Sequence, residues 1–515
     1  MRRFWCIALF LGFSTFAQTD GSLNIELLSH YPMSYASDVW GWEDSVTGRR
    51  FAFVGSFSST YIFDITDPRN PILIDSVPGA GSIWRDMKVW KERLYVVHDI
   101  VYSGSPSGLQ VVNLRVLADS NRISFRNTSP GGIKNAHNIF IDEEGRAWLW
   151  GSTPGNNYVI DLTNPDSPQF LTDYTIGGGI DPYIHDGFVR NDTVWGGHIY
   201  AGKAAGTHFQ DSLLSFSFIG SISTPYQFTH NVWLSNNGKY MFTTDETAGA
   251  PIGIYDVSSP STPQLLATFQ SSRHPAIPHN VFYKNGFIYI SYYTEGVVVA
   301  DVRVPDLPVE VAWYDTSPFS SASFKGCWGV YPFFDDSVFI ASDMERGLFV
   351  LKARWNPAIR IYVRVFRDSV NGPPAWGKPV RIISPTQLYS SVTDVEGMVK
   401  AGFTDSGLYR ITISLQDTFL AKEINVSYGV VDTIDFIIPS FVATGISEST
   451  YDNSYQKCLM QSGTLKCPIK VNIQFFSFDG KLISSSVGEE FIIPLNAAFV
   501  CIDGRCNKIP RINVY

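Results

Sequence analysis

Four histidines recur along the chain at near-constant intervals: His137, His185, His230 and His279 stand 48, 45 and 49 residues apart. Each is followed by a carboxamide or a carboxylate, namely Asn138, Asp186, Asn231 and Asn280. Acids recur at a later offset: Asp99 after His98, the pair Asp245 and Glu246, then Glu295, and Asp343 with Glu345. Imidazoles and carboxylates brought to one place are what a metal ion or a polar ligand requires. Neutral imidazole suits copper, zinc or iron, whereas carboxylates with Asn carbonyls suit calcium or manganese. The mixture names a divalent or transition metal as the cofactor class without choosing within it. In a metal-dependent enzyme Glu246 or Glu295 would serve as base. Against that stands a bland account: a histidine at the start of a repeated strand bridges neighbouring units by hydrogen bonds, and recurs because the unit recurs.

The elements that must position these residues are legible from their punctuation. Four segments end in the same way, with Asp64, Pro68 and Pro71; Asp161, Pro165 and Pro168; Asp256, Pro260 and Pro263; and Asp301, Pro305 and Pro308. A strand stops at the Asp, whose carboxylate accepts nearby backbone N–H groups, and the prolines fix φ where no ladder donor is wanted. β-Branched or aromatic runs precede each Asp, and hairpins such as the one at Asn285 and Gly286 lie upstream. Aligning first strands gives one column: Ser37, Arg85, His137, His185, His230, His279 and Trp328. Seven units of about fifty residues, each of four strands, predict an all-β, seven-bladed β-propeller over residues 22–356. The seventh unit lacks a fourth strand, which residues 24–28 would supply, closing the ring and removing an exposed edge.

In a propeller the first strands line the central channel, so the column marks one mouth. The expected ligand-binding set there is Arg85, Asp86, His137, His185, Asp186, His230, Asp245, Glu246, His279, Glu295, Trp328, Asp343 and Glu345. The four histidines of the arc are the expected metal ligands. His198 and His208 are expected in an irregular loop of the fourth unit.

Composition narrows the function classes. The 515 residues carry 39 Lys and Arg against 48 Asp and Glu, a net charge of −9, which excludes general binding to nucleic-acid backbones. Residues 1–17 run from two arginines through an apolar stretch to Thr15, Phe16 and Ala17, the order of a secretory signal cleaved before Gln18. No later stretch is apolar enough to span a bilayer, so an integral membrane protein is not expected. Export permits disulfides among Cys458, Cys467, Cys501 and Cys506, whose three pairings the sequence leaves open; Cys327 reads as a buried apolar residue. No nucleophile elbow, phosphate loop or HExxH helix is present in the sequence.

The strand-Asp-Pro-Pro unit, with Ser37–Trp42, Trp84–Lys88, Ala136–Ile139 and Tyr183–Asp186, resembles the LVIVD-repeat proteins of the choice-of-anchor B family over roughly residues 24–354. That resemblance implies a bacterial surface or secreted protein and no established activity. Residues 358–440, with Pro379–Ile383, Thr393–Met398 and Ser406–Ile411, are similar to a carboxypeptidase-regulatory-like β-sandwich. Residues 441–515 resemble the small β C-terminal sorting domain of type IX secretion, although the usual Asn-Pro near its start is missing. Together they imply delivery by that machinery to the surface or exterior of a Bacteroidota-like Gram-negative cell. The expected partner is a surface protein or a glycan, bound at the His- and acid-lined mouth.

Overall fold

The computed structural model describes residues 21–439 apart from 100–107, 119–122, 154–156, 175, 177, 272, 274, 416 and 417. It also describes the strand segments 459–461, 464–476, 482–492, 499–502 and 505–508. The leader, and the linker through Cys458, lie outside the described residues. Two compact units are present, Met1–Trp355 and Asn356–Tyr515.

The first unit is an all-β propeller built from seven antiparallel sheets among the described residues. Sheet one, for instance, runs Val39–Glu43, Arg50–Gly55, Ser59–Asp64 and Ile72–Pro78. The seven first strands are Val39–Glu43, Arg85–Trp90, Asn138–Ile141, Asp186–Arg190, Thr229–Leu234, Asn280–Lys284 and Cys327–Tyr331. Each lies against the next, and the seventh lies against the first. The ring is closed by Ile25–Pro32, which pairs antiparallel with Gly347–Ala353 as the outer strand of sheet seven. Ser22–Leu23 adds a fifth strand to sheet six, against Val309–Tyr314, a pairing that the sequence did not announce.

Local chemistry follows the punctuation. Asp64, Asp161, Asp256 and Asp301 each accept the backbone N–H two residues on, at 2.8, 2.7, 2.8 and 3.0 Å, in the turn to the fourth strand. In six of the seven sheets the third and fourth strands slip register by a bulge, which strengthens the local twist. Asn285 and Gly286, with φ of 51° and 88°, form the tight turn between Asn280–Lys284 and Phe287–Ser291.

Stability comes from between the sheets. Phe51, Phe53, Met87 and Val96 fill the space between sheets one and two, and Trp148, Trp150 and Trp195 that between sheets three and four. Each such side chain contributes about 1.5–3 kcal/mol on burial. Cys327 is a buried free thiol, and burial pushes its pKa well up, as befits an inert core residue.

In the second unit, Ile359–Arg367, Met398–Phe403 and Val431–Ile438 form one sheet, and Pro379–Ile383, Leu388–Val392, Gly407–Ser414 and Phe419–Val426 another. Their apolar faces share a core that includes Ile361, Val363, Ile382, Tyr409 and Phe436. Five further strands between Leu459 and Lys508 make a separate sheet, in which Cys501 stands opposite Cys506 across a hairpin. The side chains of Cys467, Cys501 and Cys506, and all of Cys458, lie outside the described residues, and so does any disulfide among them. Among the described residues no helix is long and apolar enough to cross a membrane.

Deleting residues 21–32 should remove the closing strand and lower the melting temperature of the first unit by more than ~10 °C. Deleting only residues 18–23 should shift it by a few degrees at most. Calorimetry on the two truncations checks the difference, and equal effects would refute a closing role for Ile25–Pro32.

Candidate functional site

The residue before each first strand, or at its start, points to the axis, and the side chains stack in levels. At the outermost level the four histidines form a continuous arc. Ring centroids are 4.1 Å apart for His137 and His185, 4.0 Å for His185 and His230, and 4.4 Å for His230 and His279; Trp328 continues the series 4.6 Å from His279. His230 and His279 are each 3% exposed. Gly151 makes room for the arc, since a Cβ there would stand 2.8 Å from His137 Cβ and 3.0 Å from the Tyr183 hydroxyl.

The imidazoles are oriented from outside the arc. His137 Nδ1 is 2.7 Å from Asp99 Oδ2, and His279 Nδ1 is 2.5 Å from the Trp328 carbonyl oxygen. A carbonyl only accepts, so His279 carries its proton on Nδ1 and turns an Nε2 lone pair the other way. Nδ1 of His185 and of His230 is buried without a hydrogen bond of ordinary geometry; the backbone of the next histidine in the arc lies near enough to favour the charged ring slightly. Burial, and then the neighbouring imidazoles, push His185 and His230 well below the usual histidine range, and burial takes His279 down to about 3. Those three rings are uncharged at neutral pH.

One residue deeper lies a polar level that ties sheet to sheet. Asp86 Oδ2 accepts the Ile139 N–H at 3.0 Å, Asp186 Oδ2 accepts from Asn231 Nδ2 at 2.6 Å, and Asn231 Oδ1 accepts the Val281 N–H at 3.0 Å. Lys88 enters this level from sheet two, 2.7 Å from Asp86 Oδ1 and 3.8 Å from Asp38 Oδ2, with its ammonium 4.3 Å from the Trp40 ring centroid. Burial would raise Asp86, but Lys88 and its hydrogen bonds hold it below the usual carboxylate range. Asp38 is pushed well up by burial and by Asp86, and Asp186 up to about 6 by the same two causes.

Two residues deeper still, the axis is closed by aromatics. Trp40, Phe140, Phe188, Trp233, Phe282 and Tyr331 occupy equivalent places, and Phe333 joins them. Phe188 and Trp233 stand 4.8 Å apart, Trp233 and Phe282 4.8 Å, and Trp40 and Tyr331 5.0 Å. The channel expected from the sequence is therefore a blind pocket. Its cavity is about 20 Å³, room for one water or one ion, between the histidine and the polar levels. Among its lining residues, Arg85 Nη1, Asn138 Oδ1 and Asn280 Oδ1 are buried without a hydrogen bond, and Asp38 Oδ2 faces the Lys88 ammonium at 3.8 Å.

The expected residues divide. The four histidines, Arg85, Asp86, Asp186 and Trp328 line the pocket. Glu246 joins the arc from the side, its Oε1 3.7 Å from His230 Nε2 and 4.0 Å from His279 Nε2. Asp245, Glu295 and Asp343, expected at the mouth, are instead fully buried outside the pocket. Asp245 accepts the Thr224 hydroxyl and the Phe228 and Tyr226 N–H groups; Asp343 accepts the Thr316 hydroxyl and the Glu345 and Arg346 N–H groups. Their carboxylates serve turns, which is why acids recur at this offset. Glu295 lies beside Arg273, its Oε2 3.5 Å from the guanidinium, and Glu345 accepts the Gly326 N–H at 2.9 Å. Arg85 gives Nε to the Ser56 carbonyl at 2.5 Å and Nη2 to those of Phe57 and Ala80, so it holds the loop of sheet one rather than an anion. His198 and His208 sit in strands Thr193–His198 and Lys203–Gln210, not in a loop; His198 is buried with Nδ1 2.8 Å from the Asp181 carbonyl.

Sequence reasoning passed over Asp99 as the partner of His137, and over the aromatic level and Lys88. The signal was there: an aromatic three residues beyond the column in six of the seven units, with Lys88 in the exception.

No family model matches the chain, and no curated protein matches it. Among solved structures it is similar to the β-propeller domain of Cps50 (Swd1) from Myceliophteria thermophila, with 11% identity and a TM-score of 0.45, covering 63% of this chain and 99% of that one. It is also similar to the computationally designed Ika8 protein, with 9% identity and a TM-score of 0.41, covering 62% and 83%. Those likenesses concern fold alone; the propeller rests on the ring of sheets described above.

Lys88→Met should destabilise the first unit by about 3–5 kcal/mol, because it leaves Asp86 buried beside Asp38 with no cation. Adding Asp86→Asn should recover a large part of that loss. Urea denaturation of the single and double variants measures both, and additive losses would refute the coupling.

Proposed function

We propose that the chain is an exported binding module of the choice-of-anchor B kind, which takes a protein or glycan ligand at the histidine end of its axis by seating one polar group in the blind pocket. The observation that carries this reading is a void of about 20 Å³ whose lining residues keep buried polar atoms without a hydrogen bond, among them Asn138 Oδ1 and Asn280 Oδ1. Leaving such atoms unsatisfied costs roughly 1–3 kcal/mol each, a cost that an occupant relieves. The void admits no more than the tip of a ligand, so the remainder lies outside it.

Aromatics lead outward from the arc. Tyr183 lies 6.4 Å from His185 and 5.2 Å from Tyr200, which is 72% exposed. Tyr293 lies 5.0 Å from His279 and 5.7 Å from Phe324, which is 57% exposed. A third route runs from Arg85 to the backbone of Phe57, whose ring is 6.4 Å from exposed Tyr35. Large, stiff aromatic faces around a polar hole suit sugar rings and extended peptides. Export is supported by the leader-like residues 1–17 and by the likeness of residues 441–515 to a sorting domain.

Two outcomes test the proposal. Titrating oligosaccharides and short peptides should change the emission of Trp84 and Trp328 in the pocket wall, and Tyr200→Ala with Phe324→Ala should weaken that binding by tenfold or more, about 1.4 kcal/mol, with the melting temperature unchanged. Affinity that survives the double variant would refute the aromatic rim. Expressed with its own leader in a Gram-negative host, the mature chain should begin at Gln18 by intact mass; retention of Met1 on the soluble product would refute export by that leader.

A further inference from the structure

We infer that the histidine arc is a metal site, in which His230 Nε2, His279 Nε2 and Glu246 Oε1 hold one first-row divalent ion, zinc or copper, between sheets five and six. These three atoms lie within 4.8 Å of one another. Glu246 Oε1, at 3.7 and 4.0 Å from the two ring nitrogens, is too far from either for a hydrogen bond and close enough to share an ion with both. A tetrahedral ion with bonds of 2.0–2.1 Å wants donors roughly 3.3 Å apart, so Glu246 must close on each ring by about half an ångström and the two rings on each other by at most about 1.5 Å.

The donors are already aimed. His279 is fixed by the Trp328 carbonyl with its Nε2 lone pair toward Glu246, and the Tyr293 hydroxyl donates to Glu246 Oε1 at 2.7 Å, holding the carboxylate in place. Such outer hydrogen bonds are what orient metal-binding imidazoles and carboxylates. Asp99 does the same for His137, further along the arc. His230 is 3% exposed, and its Nδ1 meets the His279 backbone without a hydrogen bond of ordinary geometry, so its ring is held with Nε2 on the Glu246 side.

The donor set also chooses among metals. Calcium takes six to eight oxygens. Below the arc Asp86 and Asp186 spend their oxygens on Met87, Lys88, Ile139, Gly187 and Asn231, and Asp38 faces Lys88, leaving the carboxamide oxygens of Asn138 and Asn280. Two imidazoles and one carboxylate fit zinc or copper instead. Three protein ligands leave a further position for water or for a polar group of a bound molecule.

The inference concerns the same pocket as the ligand proposed above but does not rest on it. Zinc binding without any oligosaccharide or peptide binding would sink only the ligand reading; the converse would sink only the metal. The test uses the full, tag-free chain, stripped with chelator and titrated by calorimetry with Zn²⁺ and separately with Ca²⁺, and Co²⁺ absorption reports the coordination. The expected result is one zinc that excess calcium fails to displace, an affinity at least tenfold weaker in Glu246→Gln, and loss of the ion in His279→Ala. Glu246→Gln keeps shape at a half-buried position, so it reads the site even where the histidine variant fails to fold. A zinc bound equally by Glu246→Gln lies elsewhere and overturns the inference; so does a folded wild-type chain that binds none, a calcium-displaced ion, or an unaltered Co²⁺ spectrum in Glu246→Gln.

Discussion

Seven first strands meet at one axis, and that convergence constrains everything placed there. Equivalent residues from neighbouring sheets are forced within a few ångströms, so each level along the axis must be a chemically compatible ring. Imidazoles satisfy this by lying tilted against one another, 4.0 to 4.4 Å apart. One residue deeper, carboxylates and carboxamides satisfy it by passing hydrogen bonds from one sheet to the next. At the aromatic level ring edges meet ring faces, and Lys88 is held by Asp86 and the face of Trp40.

Sheets one, two and seven lack the histidine, Ser37 standing there in sheet one, and the breaks in sheets two and seven have local causes. Arg85 replaces a histidine and turns sideways to collect carbonyls from the loop of sheet one. Lys88 replaces an aromatic, and its ammonium is placed between two carboxylates and the face of Trp40. Trp328 closes the arc with a larger ring and supplies the carbonyl that fixes His279. The arc thus has a direction: its oriented end, with Trp328, Tyr293 and Glu246, is where the donor atoms face one another.

Much of this was legible in the residues. The Asp-Pro-Pro turns, the column from Ser37 to Trp328 and the closing role of the N-terminal segment are local patterns, and local patterns survive folding. The fate of the acids was not, because a carboxylate that ends a strand reads the same whether it faces solvent or caps a turn; Asp245 and Asp343 do the latter. Glu246 differs from Asp245 by one position along the chain, which at the end of a strand reverses the direction of the side chain. The aromatic level escaped notice because its members also look like ordinary core residues, and only the ring geometry shows that they close a channel.

The strand that completes the ring comes from the opposite end of the same unit. Glu26 and Arg354, joined by an ion pair at that seam, are separated by 328 positions in sequence. During synthesis Ile25–Pro32 is among the first segments of the ring to emerge, and its partner Gly347–Ala353 is the last. Loop closure over such a span is entropically costly and slow. The first unit therefore has no complete native state to reach until nearly all of it is available at once.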